Sequence, residues 1–233
     1  MKNILLTGFQ PFGGLTDNPS ARIVYVMDGA VINGHQVVAR TLPVTFKDAP
    51  VCLEQLMETY QPELVLCLGL AVGEEAIRLE QQALNQVDFR IADNAGQKIK
   101  GCVLEGGPES YQSNLPLESI RESLHRHNIP ARLSNSAGNF VCNALMYTAL
   151  NLCARADGDT ACGFIHLPCL PQQVSEINAS PSVSAGMDGV VDGDRHGTTR
   201  SAPESPQLMG LAMPLTLQIE AVRLSITAIL ENF

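Results

Sequence analysis

The chain has 233 residues, of which 45% are hydrophobic, so it can form the packed core of one large α/β domain. The formal net charge of -9 and the scattering of only 15 Lys and Arg residues argue against a nucleic-acid partner, because phosphate binding needs clustered positive charge. No apolar run approaches the ~20 residues that cross a bilayer, so we expect no membrane partner.

The cysteines indicate a reducing compartment. The chain has seven of them, an odd number without a CxxC pair. Met1 leads directly into a strand pattern rather than into a charged segment and a long apolar one, as a secretory signal would. We therefore predict a cytoplasmic protein with free thiols.

Strand-like and helix-like segments alternate through the first third of the chain. The apolar runs end at glycine, as buried strands of α/β sheets do, and Asn18 followed by Pro19 is typical of a helix start. We predict a strand at 3–7, a helix from 19, a strand at 35–44, a helix at 45–60 and a strand at 63–68. This order predicts the α/β class, with a single domain over 1–233, three α/β/α layers and a twisted, mostly parallel central sheet.

The loop after the first predicted strand reads GFQPFGG. It lacks the Lys and Ser/Thr of a phosphate-binding loop, and no GxGxxG follows any strand, so we expect no nucleotide cofactor. Phe9 and Phe12 stand at the carboxyl end of that strand, where such sheets bind their ligands. The two rings therefore either line an apolar pocket or close the core.

The middle of the chain is less regular. Alternating residues at 76–90 favour extended structure, in which Glu80 faces inward if Ile77 and Leu79 face the other side. Asp93 lies in a turn cluster, where we expect a local Asx-turn rather than a catalytic role. The remaining predicted elements are a helix at 116–127 with solvated His125 and His127, strands at 131–134 and 162–167, and an amphipathic helix at 214–230.

From about 180 to 213 the composition changes to Ser, Pro, Gly, Asp and Met. This composition predicts a mobile insertion in the domain. Its DGD spacing is an incomplete calcium-loop pattern, so we expect no metal there.

Cys142 lies in the segment SNSAGNFVCNALMY, where turn residues change into a helical period. The pattern places this thiol in the first turn of a helix. Unpaired N–H groups and the helix dipole favour a thiolate there, and the same N–H groups suit an oxyanion. The alternative is that Cys142 is one more buried, inert thiol, and a nearby base is needed to decide.

His166 is a candidate for that base, because it lies near the end of the predicted strand at 162–167. If this strand and the one at 131–134 are parallel neighbours, their ends bring His166 to Cys142 across one strand spacing of ~5 Å. The alternative is a structural histidine at a strand end.

Four segments together resemble pyroglutamyl peptidase I, the pyrrolidone carboxyl peptidases. They are LLTGFQPFGG, Glu80 before LNQVDFRIADNAG, Cys142 within SNSAGNFVCNALMY and His166 within GFIHLPCLP. The resemblance covers nearly all of the chain up to Gln173 and returns in the last helix. It implies a single α/β domain, often a homotetramer, which removes an N-terminal pyroglutamyl residue from peptides without a cofactor or metal.

Carried onto matching positions, the resemblance implies a Cys142, His166 and Glu80 triad. Cys142 is then the nucleophile, His166 the general base and acid, and Glu80 the group that orients the imidazole. The expected substrate pocket is formed by Phe9, Phe12, Leu70 and Val141. The expected partners are N-terminally pyroglutamylated peptides and further copies of the chain, as a homotetramer or homodimer.

The segment 69–81 departs from the family pattern. Glu74 stands where members often have Arg, Arg78 where Ser or Thr is usual, and Gln81 where Lys or Arg is usual. If Glu74, Glu75 and Glu80 converge, their like charges raise a carboxylate pKa. The insertion at about 180–213 is also longer than the connection usual in the family.

Three other hypotheses remain open at this point. One is a divergent cysteine hydrolase of the same fold that acts on another small amide. The second is a binding protein that keeps the fold without turnover. The third is a metal site built from Cys142, Cys162, His166 and Cys169, which the scattered spacing of these residues makes weak.

Overall fold

The computed structural model describes residues 2–156, 160–179 and 211–232. The sequence predicts a mobile insertion at about 180–213. Residues 180–210 of it lie outside the described residues. Among the helices in these ranges, none is long and apolar enough to cross a membrane.

The elements follow the predicted order. The strands are β1 (Lys2–Phe9), β2 (Val31–Ile32), β3 (His35–Leu42), β4 (Leu64–Leu70), β5 (Ile77–Glu80), β6 (Gln82–Leu84), β7 (Val87–Asp88), β8 (Lys100–Gly101), β9 (Ser110–Gln112), β10 (Ala131–Ser134) and β11 (Ala161–Leu167). The helices are α1 (Pro19–Met27), α2 (Asp48–Tyr60), α3 (Leu117–Arg126), α4 (Val141–Arg155), α5 (Pro171–Ala179) and α6 (Leu215–Leu230). The extended structure expected at 76–90 is confirmed as β5, β6 and β7.

Seven strands form the central sheet in the order β10-β5-β11-β4-β1-β3-β2. The four central strands β11, β4, β1 and β3 are parallel to one another. At one edge β2 is antiparallel to β3, and at the other β5 and β10 run together against β11. The predicted mostly parallel sheet is confirmed, and its departures lie at the edges.

One predicted neighbour relation is wrong. β10 and β11 are neither adjacent nor parallel, because β5 lies between them and is antiparallel to β11. The segment after β4 turns back beside β11 instead of crossing over as a helix. The side chains of β5 therefore lie next to those of β11, and Cys142 must approach His166 by another route.

Helices cover both faces of the sheet. One face packs Leu5, Val65 and Phe164 against α2 and α4, through residues such as Leu53 and Leu145. The other face packs Ile4, Leu66 and Ile165 against α1, α3 and α6, through residues such as Ile23, Ile120 and Val222. The three-layer α/β/α arrangement is thus confirmed.

The start of α1 is tied to the end of β1. Asn18 caps the helix, as predicted, because its side chain accepts a hydrogen bond of 3.0 Å from the Ser20 N–H. The Ser20 hydroxyl in turn accepts one of 2.9 Å from the Phe9 N–H. The helix therefore packs tightly against the strand at Gly8, where an added Cβ would lie 2.5 Å from the Ser20 carbonyl oxygen. This contact fixes where the chain leaves the sheet.

We expect Gly8→Ala to lower the free energy of unfolding by about 3 kcal/mol, because backbone must shift to admit the methyl group. Urea unfolding measures this. Gly34→Ala is the control, since it has φ +78° but no atom within 4 Å of the added methyl, so about 1 kcal/mol of backbone strain is expected. Equal losses in the two variants would contradict the packing argument.

Candidate active site

Cys142 is the second residue of α4, as the sequence predicts. The residue before the helix, Phe140, is extended with φ -111° and ψ -162° and caps no backbone group. The first N–H groups of the helix are therefore left without a side-chain partner. The N–H of Cys142 itself interacts with its own sulfur, which is where an oxyanion formed by attack of that sulfur needs a donor.

The thiol of Cys142 is enclosed rather than exposed, since the residue is only 9% accessible. A methyl group built on Gly69 would lie 2.9 Å from its sulfur and 2.8 Å from the Phe164 ring. Cys142 therefore sits directly over β4 at Gly69, which is in register with His166 on β11. This position above the sheet, and not a shared strand edge, brings the thiol to the histidine.

The expectation of a ready thiolate is wrong for this state of the site. Burial, more than the Glu80 carboxylate and the Cys67 thiol nearby, raises the pKa of Cys142 to about 12. The backbone N–H of Cys142 and the charge of Arg78 act in the opposite direction but do not outweigh burial. At neutral pH the sulfur therefore carries its proton, and its reactivity depends on a base.

His166 and Glu80 form a buried pair. Nδ1 of the imidazole lies 2.8 Å from Oε1 of Glu80, whose side chain is fully buried. Since the carboxylate can only accept, Nδ1 donates, and Nε2 is left as the acceptor nitrogen. Nε2 makes no hydrogen bond with any residue that the structure describes, and none joins the ring to Cys142.

The inward orientation expected for Glu80 is confirmed. Ile77 and Leu79 pack on the opposite face of β5, in the core beneath α3 and α6. Glu80 is directly opposite Phe164 on β11, and Arg78 is opposite His166. Alternation along two antiparallel strands thus places all four side chains on the face that α4 covers.

The acidic residues of the segment 69–81 do not repel one another in the way expected. Glu74 is bound by Arg78 and Arg132, at 3.1 and 2.9 Å. Burial opposes the charge on Glu80, but the hydrogen bond from His166 and the nearby positive charges outweigh it, so the pKa of this carboxyl lies below its usual range. The rise in a carboxylate pKa that convergence of these residues would cause is not found at Glu80, because Arg78 lies between Glu74 and Glu80.

A small apolar pocket opens beside the thiol. It encloses about 200 Å³ of space, part of it open to solvent. The structure brings all four predicted pocket residues, Phe9, Phe12, Leu70 and Val141, to the lining of this one pocket together with Cys142. Their role in substrate binding stays a prediction.

Two further lining residues, Val44 and Phe140, were missed by sequence reasoning. The Phe140 ring lies 5.9 Å from that of Phe12 and 4.5 Å from that of Phe89, which supports it from behind. Phe140 stands two residues before Cys142, and this closeness is the signal that could have found it. Val44 follows β3, and only the sheet order shows that this strand end borders the pocket.

The other candidates have structural surroundings. Oδ1 of Asp93 accepts hydrogen bonds from the N–H groups of Ala95 and Gln97, which confirms the predicted Asx-turn. His125 and His127 are exposed, as expected. Within the described ranges, no three His, Cys, Asp or Glu side chains converge in a way that suits a metal ion. The metal hypothesis for Cys142, Cys162, His166 and Cys169 is therefore unsupported.

Comparison with known proteins gives a consistent result. A family model described as pyroglutamyl peptidase matches residues 2–199. The pyrrolidone-carboxylate peptidase of Pyrococcus furiosus is 43% identical over 172 residues, which cover 73% of this chain and 83% of that protein. The pyrrolidone-carboxylate peptidase of Vibrio campbellii is 40% identical over 194 residues, covering 83% of this chain and 89% of that protein.

A solved structure shows the same fold. It is a mutant pyrrolidone carboxyl peptidase from the hyperthermophile Pyrococcus furiosus, and it superimposes with a TM-score of 0.84 at 35% identity. The match covers 99% of each chain. On the extent of the family match and the identity to these relatives, the chain belongs to the pyroglutamyl peptidase family.

Proposed function

We propose that this protein is a cysteine peptidase that removes an N-terminal pyroglutamyl residue from peptides through a thioester intermediate. The observation that carries the proposal is the arrangement of Cys142, at an uncapped helix start, beside a buried His166 and Glu80 pair and an apolar pocket. Membership of the family supports the same substrate class.

The first step transfers a proton and forms one bond. Because the resting thiol is protonated, a base must remove its proton as it attacks. We assign this role to Nε2 of His166, since Nδ1 already donates to Glu80. The sulfur then bonds to the pyroglutamyl carbonyl carbon, and the N–H groups at the start of α4 stabilise the oxyanion.

The later steps of the reaction release the amine and then pyroglutamate. The imidazolium of His166 returns its proton to the departing amine as the C–N bond breaks, which leaves a thioester on Cys142. Water, deprotonated by the same imidazole, attacks the thioester and frees pyroglutamate and the thiol. Throughout, Glu80 stabilises the charged ring and holds its orientation.

The pocket suits a lactam better than an ordinary N-terminal residue. A pyroglutamyl ring is small, flat and uncharged, and aromatic walls such as Phe12 and Phe140 can pack against it. A free α-ammonium would lose its hydration in this apolar space without a compensating charge. Specificity thus follows from the cost of burying a charge.

We further infer that the protein works in the cytoplasm as a homotetramer or homodimer. All seven cysteines are free, which fits a reducing compartment. Tyr25, at 86% accessibility, and Val26 expose apolar surface on one side of α1, and Val31 does so on the strand that follows, as a subunit interface would.

We expect Cys142→Ala and His166→Ala each to lower kcat for a pyroglutamyl amide of a fluorescent amine by more than about a thousandfold, because nucleophile and base are lost. The assay is release of the fluorophore, with prolyl and glutaminyl amides beside it. Cys153→Ala, a buried thiol on the same helix, is the matched control and should keep its activity. Turnover of only the prolyl or glutaminyl amide would indicate a different small-amide hydrolase, and no turnover at all a binding protein.

We expect Phe12→Leu to raise KM for the same amide about tenfold, since loss of one ring contact is worth about 1.4 kcal/mol. Phe46→Leu is the control, because that ring packs on Phe89 at 5.9 Å and does not line the pocket. Steady-state kinetics measure both variants. An unchanged KM for Phe12→Leu would contradict the proposed lactam site.

We expect Gly69→Ala to reduce kcat about 100-fold, because the new methyl group displaces the Cys142 sulfur and misaligns it with His166. Gly163→Ala crowds the same sheet still more closely, at 2.5 Å from Leu115, but away from the thiol. This control should lose thermal stability and keep kcat. Equal kcat values in the two variants would count against the placement of Cys142 over Gly69.

A further inference from the structure

Arg78 is an arginine almost wholly removed from solvent, at 5% accessibility. Its Nη1 lies 3.1 Å from Oε1 of Glu74, and its Nε lies 3.1 Å from Oε1 of Glu80. Its Nη2 donates hydrogen bonds of 2.6 Å to the hydroxyl of Ser134 and of 2.6 Å to the carbonyl of Ser136. The guanidinium is thus held from β10 and from the loop that leads to α4.

The two carboxylates beside Arg78 are not equally dependent on it. Glu74 is also bound by Arg132 at 2.9 Å, on the outer, more exposed side. Glu80 is fully buried, and its Oε2 has no hydrogen-bond partner within the described chain. Its Oε1 faces both the His166 ring at 2.8 Å and the Arg78 guanidinium. Loss of Arg78 would therefore leave Glu74 paired and Glu80 short of a cation.

Stability alone is a poor reason for this arrangement. A buried ion pair gains little net free energy, because both charges lose their hydration. The Nε contact with Glu80 is also close in distance but not aligned as a hydrogen bond. What the guanidinium does supply is positive charge beside a carboxylate that must stay ionised in order to hold an imidazole.

We propose that Arg78 is a positioning residue for the reaction, which acts through Glu80 by keeping its carboxylate charged and directed at Nδ1 of His166. The proposal rests on the proposed function for its kinetic consequences. It concerns a residue that touches neither the pocket nor the sulfur.

The direction of its electrostatic effect follows from the groups around Glu80. These are His166 on β11, Arg78 on β5, Ser134 on β10 and Cys142 on α4. Arg78 lowers the pKa of Glu80 and also that of Cys142. Without it, the carboxyl protonates more readily and the thiol ionises less readily. The change at Glu80 moves the onset of activity to higher pH. The change at the thiol moves the onset of Cys142 alkylation to higher pH.

The test compares Arg78→Met with Arg132→Met. Both remove a guanidinium that binds Glu74, but only the first removes charge from Glu80. We expect Arg78→Met to lower kcat about 100-fold with little change in KM, and to move the rise of the pH–kcat/KM profile to higher pH. Arg132→Met should keep the parent profile. All assays are run at a temperature below the thermal unfolding midpoint of every variant, which circular dichroism measures.

A double-mutant cycle separates positioning from packing. In a Glu80→Gln background, Arg78→Met should cause much less further loss of kcat than it does in the parent, because most of its effect passes through Glu80. Arg78→Lys keeps the positive charge but loses the planar set of N–H donors. Compared with Arg78→Met, it should therefore bring the pH profile closer to that of the parent than it brings kcat. Independent, multiplying losses in the cycle, or an unshifted profile in Arg78→Met, would overturn the proposal.

Alkylation of Cys142 by iodoacetamide, followed by mass spectrometry of its peptide, needs no substrate. Its pH midpoint should rise in Arg78→Met and stay in place in Arg132→Met. If the parent protein cleaves no pyroglutamyl amide, the proposed function fails while this midpoint still tests Arg78. An unchanged midpoint would overturn the electrostatic role of Arg78 in the site even in an active peptidase.

Discussion

The arrangement of the site depends on one buried contact, the 2.8 Å hydrogen bond between His166 and Glu80. It exists because β5 runs antiparallel beside β11, which sets Glu80 and Arg78 opposite Phe164 and His166. In an all-parallel sheet this segment would have crossed over as a helix, and the carboxylate would lie elsewhere. The antiparallel pairing of β5 with β11 is therefore the feature on which the proposed chemistry rests.

Burial disfavours the charged form of both acids of the site, but only one of them has partners that compensate its charge. Glu80 stays ionised although it is fully buried, because the His166 ring and Arg78 compensate its charge. The thiol of Cys142 has no comparable compensation at rest, and burial keeps it protonated. Because the resting thiol is protonated, the proposed transfer of its proton to His166 takes place as the sulfur attacks the carbonyl carbon. The bound proton also spares the resting protein a reactive thiolate.

The pocket combines polar backbone groups with apolar side-chain walls. Backbone groups at the start of α4 supply polarity, and the walls are apolar side chains. The ring of Phe140 connects the two parts, since it packs between Phe12 and Phe89 directly before the helix begins. Phe140 and Val141, which line one side of the pocket, and Cys142, which is proposed to react in it, are therefore held by one turn of chain.

Local patterns in the sequence determined most elements of the fold and the place of Cys142 at a helix start. The apolar run of β1, the Asn18 cap and the place of Cys142 at a helix start each depend on a few adjacent residues, so they could be predicted. Only the tertiary structure decided that β5 separates β10 from β11, because strand pairing is set by contacts distant in sequence. For the same reason, the protonation of Cys142, the compensation of Glu80 by Arg78 and the presence of Val44 in the pocket could not be predicted, since each depends on which distant side chains exclude water or bring charge.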